Sequence, residues 1–268
     1  MLNALNLYCM IIIRGIQQFT TYRTNIITAI ITALFALGAR YALWLALFAT
    51  GNAQDTTLEE TMTYFVILGI LMVWSAGFSN YSNRIGDDIR SGDIAQGLIR
   101  PRSYHFQVIA GMHTGAIIEI LTGSIPTLIV AAVFINLLLP VSFIGFIAFI
   151  LSVALGAVIY ILIDLTISYS AFWLIDHWYT SWYRGALFML FGGTALPLWF
   201  YPQWLFTFSN FLPFRLAFFS PMEIYLGRIY GTNMLIILTM QVIWIGILFA
   251  IERFVWSRVQ YKIVVQGG

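Results

Sequence analysis

Long apolar runs separated by short polar breaks set the rhythm of this chain. Six of the runs read as helical spans: Asn25 to Ala49, Met62 to Tyr81, Gln107 to Asn136, Ser142 to Ser168, Arg184 to Leu198 and Thr232 to Phe254. A helix rising 1.5 Å per residue needs about 20 residues to cross a hydrocarbon core of ~30 Å. The fifth run is short for that purpose, and a start near Tyr179 would lengthen it. Barrel strands alternate apolar and polar residues over ~10 positions, and no stretch here does. The pattern predicts an all-α membrane protein, with a single transmembrane domain over residues 1–268.

The first 24 residues have a different pattern. Asn3, Asn6, Arg14, Gln17, Gln18 and Thr21 share one helical face, and Leu5, Tyr8, Ile12, Ile16 and Phe19 the other. Leu7 and Met10 interrupt the polar face. Such a helix lies in the membrane interface, either as a plain surface anchor or as an elbow into the first span. The segment has no basic region ahead of its apolar run and no small-residue cleavage site, so a cleaved signal peptide is not expected.

Residues 197–229 break the span rhythm again. Pro197, Pro202, Pro213 and Pro221 leave at most about ten residues between breaks, only ~15 Å of helix. Proline also interrupts the backbone ladder that lipid demands. Aromatic side chains crowd the segment, Trp204 and Phe214 among them, and such rings favour the headgroup level. The expectation is a pair of short re-entrant helices dipping from the outer face and forming an aromatic outer gate. The rival reading is one badly kinked span.

Composition supports the membrane class: of 268 residues, 60% are hydrophobic and 9% charged, against roughly 25% charged in soluble domains. Arg14, Arg23, Arg84, Arg90, Arg100, Arg102, Arg184, Arg253, Arg258 and Lys262 fall on one side of the six-span topology, and Arg40, Arg215 and Arg228 in the outer half or on the other. The positive-inside rule then places both termini in the cytoplasm. Cys9 is the single cysteine, so no intrachain disulfide or cysteine metal cluster is expected. His105, His113 and His177 lack zinc-ligand spacing, and no metal site is expected. No Gly-rich phosphate loop and no nucleophile elbow occurs, so no catalytic residue is assigned. Nothing in the sequence indicates a nucleic-acid partner.

One polar stretch exceeds what a loop needs: "DDIRSGDIAQGLIRPRSYHF", residues 87–106, within a cytoplasmic segment covering 82–105. It keeps apolar residues at Ile85, Ile89, Ile94, Leu98 and Ile99, a spacing that suits a helix with one apolar stripe. Gly92 and Gly97 punctuate it and Pro101 stops it. The plain reading is a solvated loop. The sharper one is a docking helix for a soluble partner that supplies energy.

Three of these segments, with the tail, carry a family resemblance. "YRTN" before the first span, "DIRSGDIAQGLIRP" after the second, "GGTALPLWFYPQWLFTFSNFLPFRLAFFSPMEIYLG" before the sixth and "RVQYKIVVQGG" at the end resemble permeases of type-2 ABC exporters. Within them, the chain is similar to the group of uncharacterised two-permease ABC transport systems. The resemblance implies an elbow helix, six spans, a coupling helix between spans two and three, and re-entrant helices between spans five and six. It implies that Asp87, Asp88, Ile89, Arg90, Ser91, Gly92, Leu98, Arg100 and Pro101 contact an ATPase. Asp88 stands where relatives often carry glutamate, and Ile99-Arg100 where a leucine often precedes arginine. The implied partners are two ATP-binding cassette subunits, which hold ATP and magnesium, and a second permease, a heterodimer ahead of a homodimer. The implied setting is a bacterial inner membrane. A secondary transporter or channel without an ATPase, and a membrane scaffold, are the alternatives from other classes.

Two charges inside the spans call for a separate account. Arg40 and Glu119 lie at similar depths when counted from the start of their spans. A charge at that depth costs at least ~2.5 kcal/mol and seldom faces lipid. They are expected either to pair, or for Glu119 to line the substrate path while Arg40 snorkels outward.

Overall fold

The computed structural model describes residues 23–51, 56–91, 104–173 and 178–266. Over these residues the chain is helical, without a strand, and five helices are long and apolar enough to cross a membrane. The chain is an all-α membrane protein. Most of the elbow segment, and Gly92, Leu98, Arg100 and Pro101 of the charged knuckle, lie outside the described residues.

The first two long helices are α1 (Arg23–Ala49) and α2 (Leu58–Ser82). The short α3 (Arg84–Ser91) follows and carries the described part of the knuckle. Next, α4 (Tyr104–Glu119) runs through a π turn (Ile120–Ser124) into α5 (Ile125–Phe134) as one crossing. Pro126 explains that turn: lacking an N–H, it cannot bond back to the preceding carbonyls, and the ladder widens just before it. Ser124 uses the wider turn to donate its hydroxyl to the Ile70 carbonyl of α2, 3.0 Å away.

The second half opens with α6 (Phe143–Tyr169), capped by Ser142, whose Oγ accepts the Gly145 N–H at 3.0 Å. There follow α7 (Trp178–Phe191), three short helices, α8 (Gln203–Ser209), α9 (Phe214–Ala217) and α10 (Phe219–Tyr225), and finally α11 (Thr232–Gln266). The predicted spans one to four match their helices to within a few residues. The sixth starts at Thr232 as predicted, but its helix continues well past Phe254, to Gln266.

The fifth predicted span needs correction. Its helix, α7, begins at Trp178 and ends at Phe191, not at Leu198. Fourteen residues reach only ~21 Å, too short to cross alone. The stop is set by Gly192 and Gly193, the second at φ 74°, a left-handed conformation that ends a helix and that side chains resist.

Packing divides the molecule into two bundles. In the first, α2 lies against the α4–α5 crossing, and α1 covers α5. In the second, α6 lies along α11, and α9 and α10 pack on α6. The bundles meet along a seam where α2 faces α6 and the short helices. The core is continuous across that seam, with Tyr64, Phe65, Leu68 and Phe78 of α2 packed among Ile159, Leu165, Leu198 and Phe219. Without water in the hydrocarbon to drive apolar surfaces together, close backbone approach does much of the holding. Gly77 of α2 and Gly115 of α4 supply it, because a Cβ on either would collide with the other's backbone.

A matched pair of substitutions tests this crossing. Gly77→Ala should destabilise the protein by about 1–3 kcal/mol through overpacking. Gly69→Ala, on the same helix with nothing within 4 Å of its Cβ, should be neutral or slightly stabilising. Thermal unfolding followed by size-exclusion chromatography in detergent separates the two.

Candidate functional site

The proline-rich segment becomes structured by placing its prolines at helix starts. Pro197 precedes a 3-10 turn (Leu198–Phe200), Pro202 precedes α8, Pro213 precedes α9, and Pro221 sits in the first turn of α10. At those positions the missing N–H has no helical partner to lose. Between α9 and α10 the backbone breaks at Phe218, with φ −127° and ψ −53°.

That break sits halfway along α6. A Cβ on Gly156 would come 2.7 Å from the Ala217 carbonyl, so only glycine admits the tip of the hairpin there. From the tip, α10 runs back toward the start of α6, with the Ile224 carbonyl close to Gly145 and Gly227 against Val141. Deep irregular backbone must be satisfied by protein. Gln241 of α11, fully buried, does this by donating through Nε2 to the carbonyls of Leu216 (2.8 Å) and Ser152 (2.9 Å). Beside the tip, Arg215 donates to Glu223 Oε2 at 2.8 Å and to Ser220 Oγ at 3.2 Å, with the rings of Phe206 and Phe219 on either side. The buried charges are therefore paired within one hairpin.

Among the described residues, five membrane-length helices, a hairpin packed beside α6 and a charged knuckle at the opposite end make up a membrane domain. The model of the ABC-2 family transporter proteins matches residues 34–267. The chain belongs to this ABC-2 transporter family. It is the membrane component of an ABC transporter, which partners ATPase subunits and the lipid bilayer. Neither the curated proteins nor the solved structures give a match to it.

At the knuckle end of this ABC-2 chain, α3 is tied into both bundles. Asp88 accepts a hydrogen bond from the Tyr104 hydroxyl at 2.8 Å. The Tyr104 ring stacks on Trp256 of α11 (6.4 Å, 11°), which packs on Tyr169 of α6 at 4.9 Å. Asp87 and Ser91 are exposed. Ile85 corrects the expectation of a stripe offered to a partner: it is 1% exposed and belongs to the permease's own core. Because α3 begins right after α2, its first turn is still on the bundle. The Ile89 and Arg90 side chains lie outside the described residues.

Just inside this end lies a second buried ion pair, Arg184 of α7 with Asp164 of α6. Ser82 of α2 donates to the other oxygen of Asp164 at 2.6 Å, and Ser79 bonds the Tyr160 hydroxyl. Ser181 of α7 donates to Asn83 Oδ1 at 3.1 Å. Three elements are thus joined through one carboxylate.

The expected gate residues do not form one cluster. Pro197, Pro213 and Pro221 are buried, and Phe214 packs on Phe188 and Phe191. Pro202 and Trp204 point outward, Trp204 at 70% exposure. Other residues hold this end together: the Tyr64 hydroxyl donates to the Gly193 carbonyl at 2.8 Å, and Arg228 pairs with Glu60 while lying 4.0 Å from the centre of the Trp199 ring.

The expected Arg40–Glu119 pair is corrected as well. Arg40 lies over Phe65 at 5.1 Å, whereas Glu119 accepts from Asn80 Nδ2 at 3.2 Å. Phe65 and Asn80 are about four turns apart on α2, roughly 22 Å. Counting depth from the start of each span ignored the stagger between packed helices.

An apolar groove of about 650 Å³ runs between α2 and α7, lined by Met72, Ser181, Trp182, Gly185, Ala186, Met189, Thr194 and Ala195. Among the described residues no charged side chain lines it. Arg184, next to it in sequence, is committed to Asp164 instead.

The buried pair gives a prediction with a clear sign. Asp164→Leu should cost about 3–5 kcal/mol of stability, because Arg184 is left buried without its partner. Adding Arg184→Leu should recover much of that loss. Thermal midpoints of the parent, single and double variants decide it: a double variant as unstable as the single one means the pair contributes nothing as a unit.

Proposed function

We propose that this chain is the permease of an ABC exporter, working as a dimer above two ATP-binding cassette subunits that bind ATP and magnesium. The observation that carries the reading is the linkage of the knuckle. Through Asp88, Tyr104, Trp256 and Tyr169, a displacement of α3 reaches α4, α11 and α6 at once. A loop with no mechanical role has no need of such ties. The knuckle, comprising Asp87 to Ser91 and continuing to Pro101, is the coupling element.

In this reading both termini and the knuckle are cytoplasmic and the proline-rich end faces outward, across a bacterial inner membrane. The arginine asymmetry supports that orientation. Nucleotide-driven closure of the cassettes draws two knuckles together and rocks the spans. The cargo then leaves along the interface between two permeases, a heterodimer in preference to a homodimer. No residue of this chain acts chemically on the cargo.

Coupling is tested by Ile89→Asp together with Leu98→Asp, which would bury two unpartnered charges in the ATPase contact. The double variant should insert normally yet lose co-purification with the cassette subunit and its permease-dependent ATP hydrolysis. Hydrolysis equal to the parent's removes the docking role from this segment.

Orientation is tested separately in a Cys9→Ser background. A cysteine at Gln203 or Asn210 should react with a membrane-impermeant thiol reagent in intact cells, and one at Ser103 only after permeabilisation. Labelling of the Ser103 site in intact cells inverts the topology.

A further inference from the structure

The seam between the bundles is held differently at its two ends. At the knuckle end the links Ser82 to Asp164 and Ser79 to Tyr160 are buried, and at the proline-rich end one buried bond, Tyr64 to the Gly193 carbonyl, has a more exposed neighbour. At the proline-rich end a charge pair crosses it, Glu60 at the start of α2 with Arg228 beyond α10, and the side chains are 16% and 26% exposed. This pair is less enclosed than the Arg184–Asp164 pair, so breaking it strands its charges less severely.

Each partner also keeps a second contact on its own side of the seam. Glu60 Oε2 accepts the Thr56 hydroxyl at 2.9 Å, leaving Oε1 for Arg228. Arg228 stays over the Trp199 ring, a cation–π contact that survives loss of the carboxylate. Neither charge is stranded when they part. The Arg215–Glu223 pair, by contrast, is contained within the hairpin and need not break for the seam to open.

We infer that Glu60 and Arg228 form a reversible latch, which closes the proline-rich end of the seam while the buried contacts at the knuckle end act as its pivot. Its release, together with that of the neighbouring Tyr64–Gly193 hydrogen bond, would let α2 swing from the hairpin without unfolding either bundle. Its purpose rests on the transport reading, but its existence does not. Residues 135–142, which join the bundles at this end, lie outside regular helix, and there Leu138 donates to Thr63 of α2 and accepts from the Tyr225 hydroxyl of α10.

Ser75 reports on the seam. It is 6% exposed and lines a small cavity between α2, α6 and the hairpin, together with Gly156, Tyr160 and Ala217. In a Cys9→Ser, Ser75→Cys protein in lipid nanodiscs, the labelling rate by a charged thiosulfonate follows the open fraction, however small. No cassette or cargo is needed, so failure here leaves the transport reading standing. Glu60→Gln should raise that rate by up to about fivefold, the range of a partly exposed pair. Glu60→Asp keeps the charge and should raise it less. Glu59→Gln is the control, since Glu59 accepts from Asn136 in the connecting segment and makes no ion pair across the seam with Arg228. Should Glu60→Gln fail to fold, ionic strength substitutes for it: about 1 M salt shortens screening to about 3 Å and should speed labelling of the parent. A rate indifferent to both Glu60→Gln and salt, or equally raised by Glu59→Gln, overturns the latch.

Discussion

Hydrocarbon leaves a backbone amide no partner but protein, and this constraint organises the structure. The long helices meet it internally. The break between α9 and α10, halfway down α6, cannot, and beside it the Leu216 carbonyl is satisfied by a side chain, Gln241. Gly156 makes room for the tip, and Arg215 with Glu223 neutralises the charges beside it. These contacts come from α6, α11 and the hairpin's own two helices, so the hairpin depends on α6 and α11 being in place. The second bundle is built around it.

From that follows the uneven character of the seam. The first bundle is held by small residues and backbone approach, as at Gly77 and Gly115. The second is held by aromatic rings and buried polar contacts around the hairpin. Where they meet, the middle is apolar and both ends are polar, with buried bonds near the knuckle and, near the prolines, the buried Tyr64–Gly193 bond beside a partly exposed ion pair. Apolar surfaces slide at little cost in a membrane, so the polar ends define which relative positions are preferred.

Much of this was legible in the sequence, and the failures have physical causes. Span periodicity located five of the long helices, because lipid enforces length and composition at once. Proline spacing correctly limited the helices of residues 197–229 to short pieces. The fifth span was misjudged because apolarity continues past Gly192 and Gly193, and glycine backbone conformation does not register in hydropathy. The Arg40–Glu119 pair failed for want of helix stagger. The pairs that do form, Asp164 with Arg184 and Arg228 with Glu60, join residues distant in sequence, and only packing brings them together. Gln241 was missed, although a lone amide in an apolar run was the available signal.

The central claim is that force enters at the knuckle and leaves at the proline-rich end. It is tested most directly by placing a photo-crosslinking amino acid at Asp87, and separately at Trp204, both exposed and at opposite ends. Irradiation of intact cells should join a cassette ATPase to the chain from Asp87 and never from Trp204. An ATPase adduct from Trp204, or none from Asp87, would contradict the account.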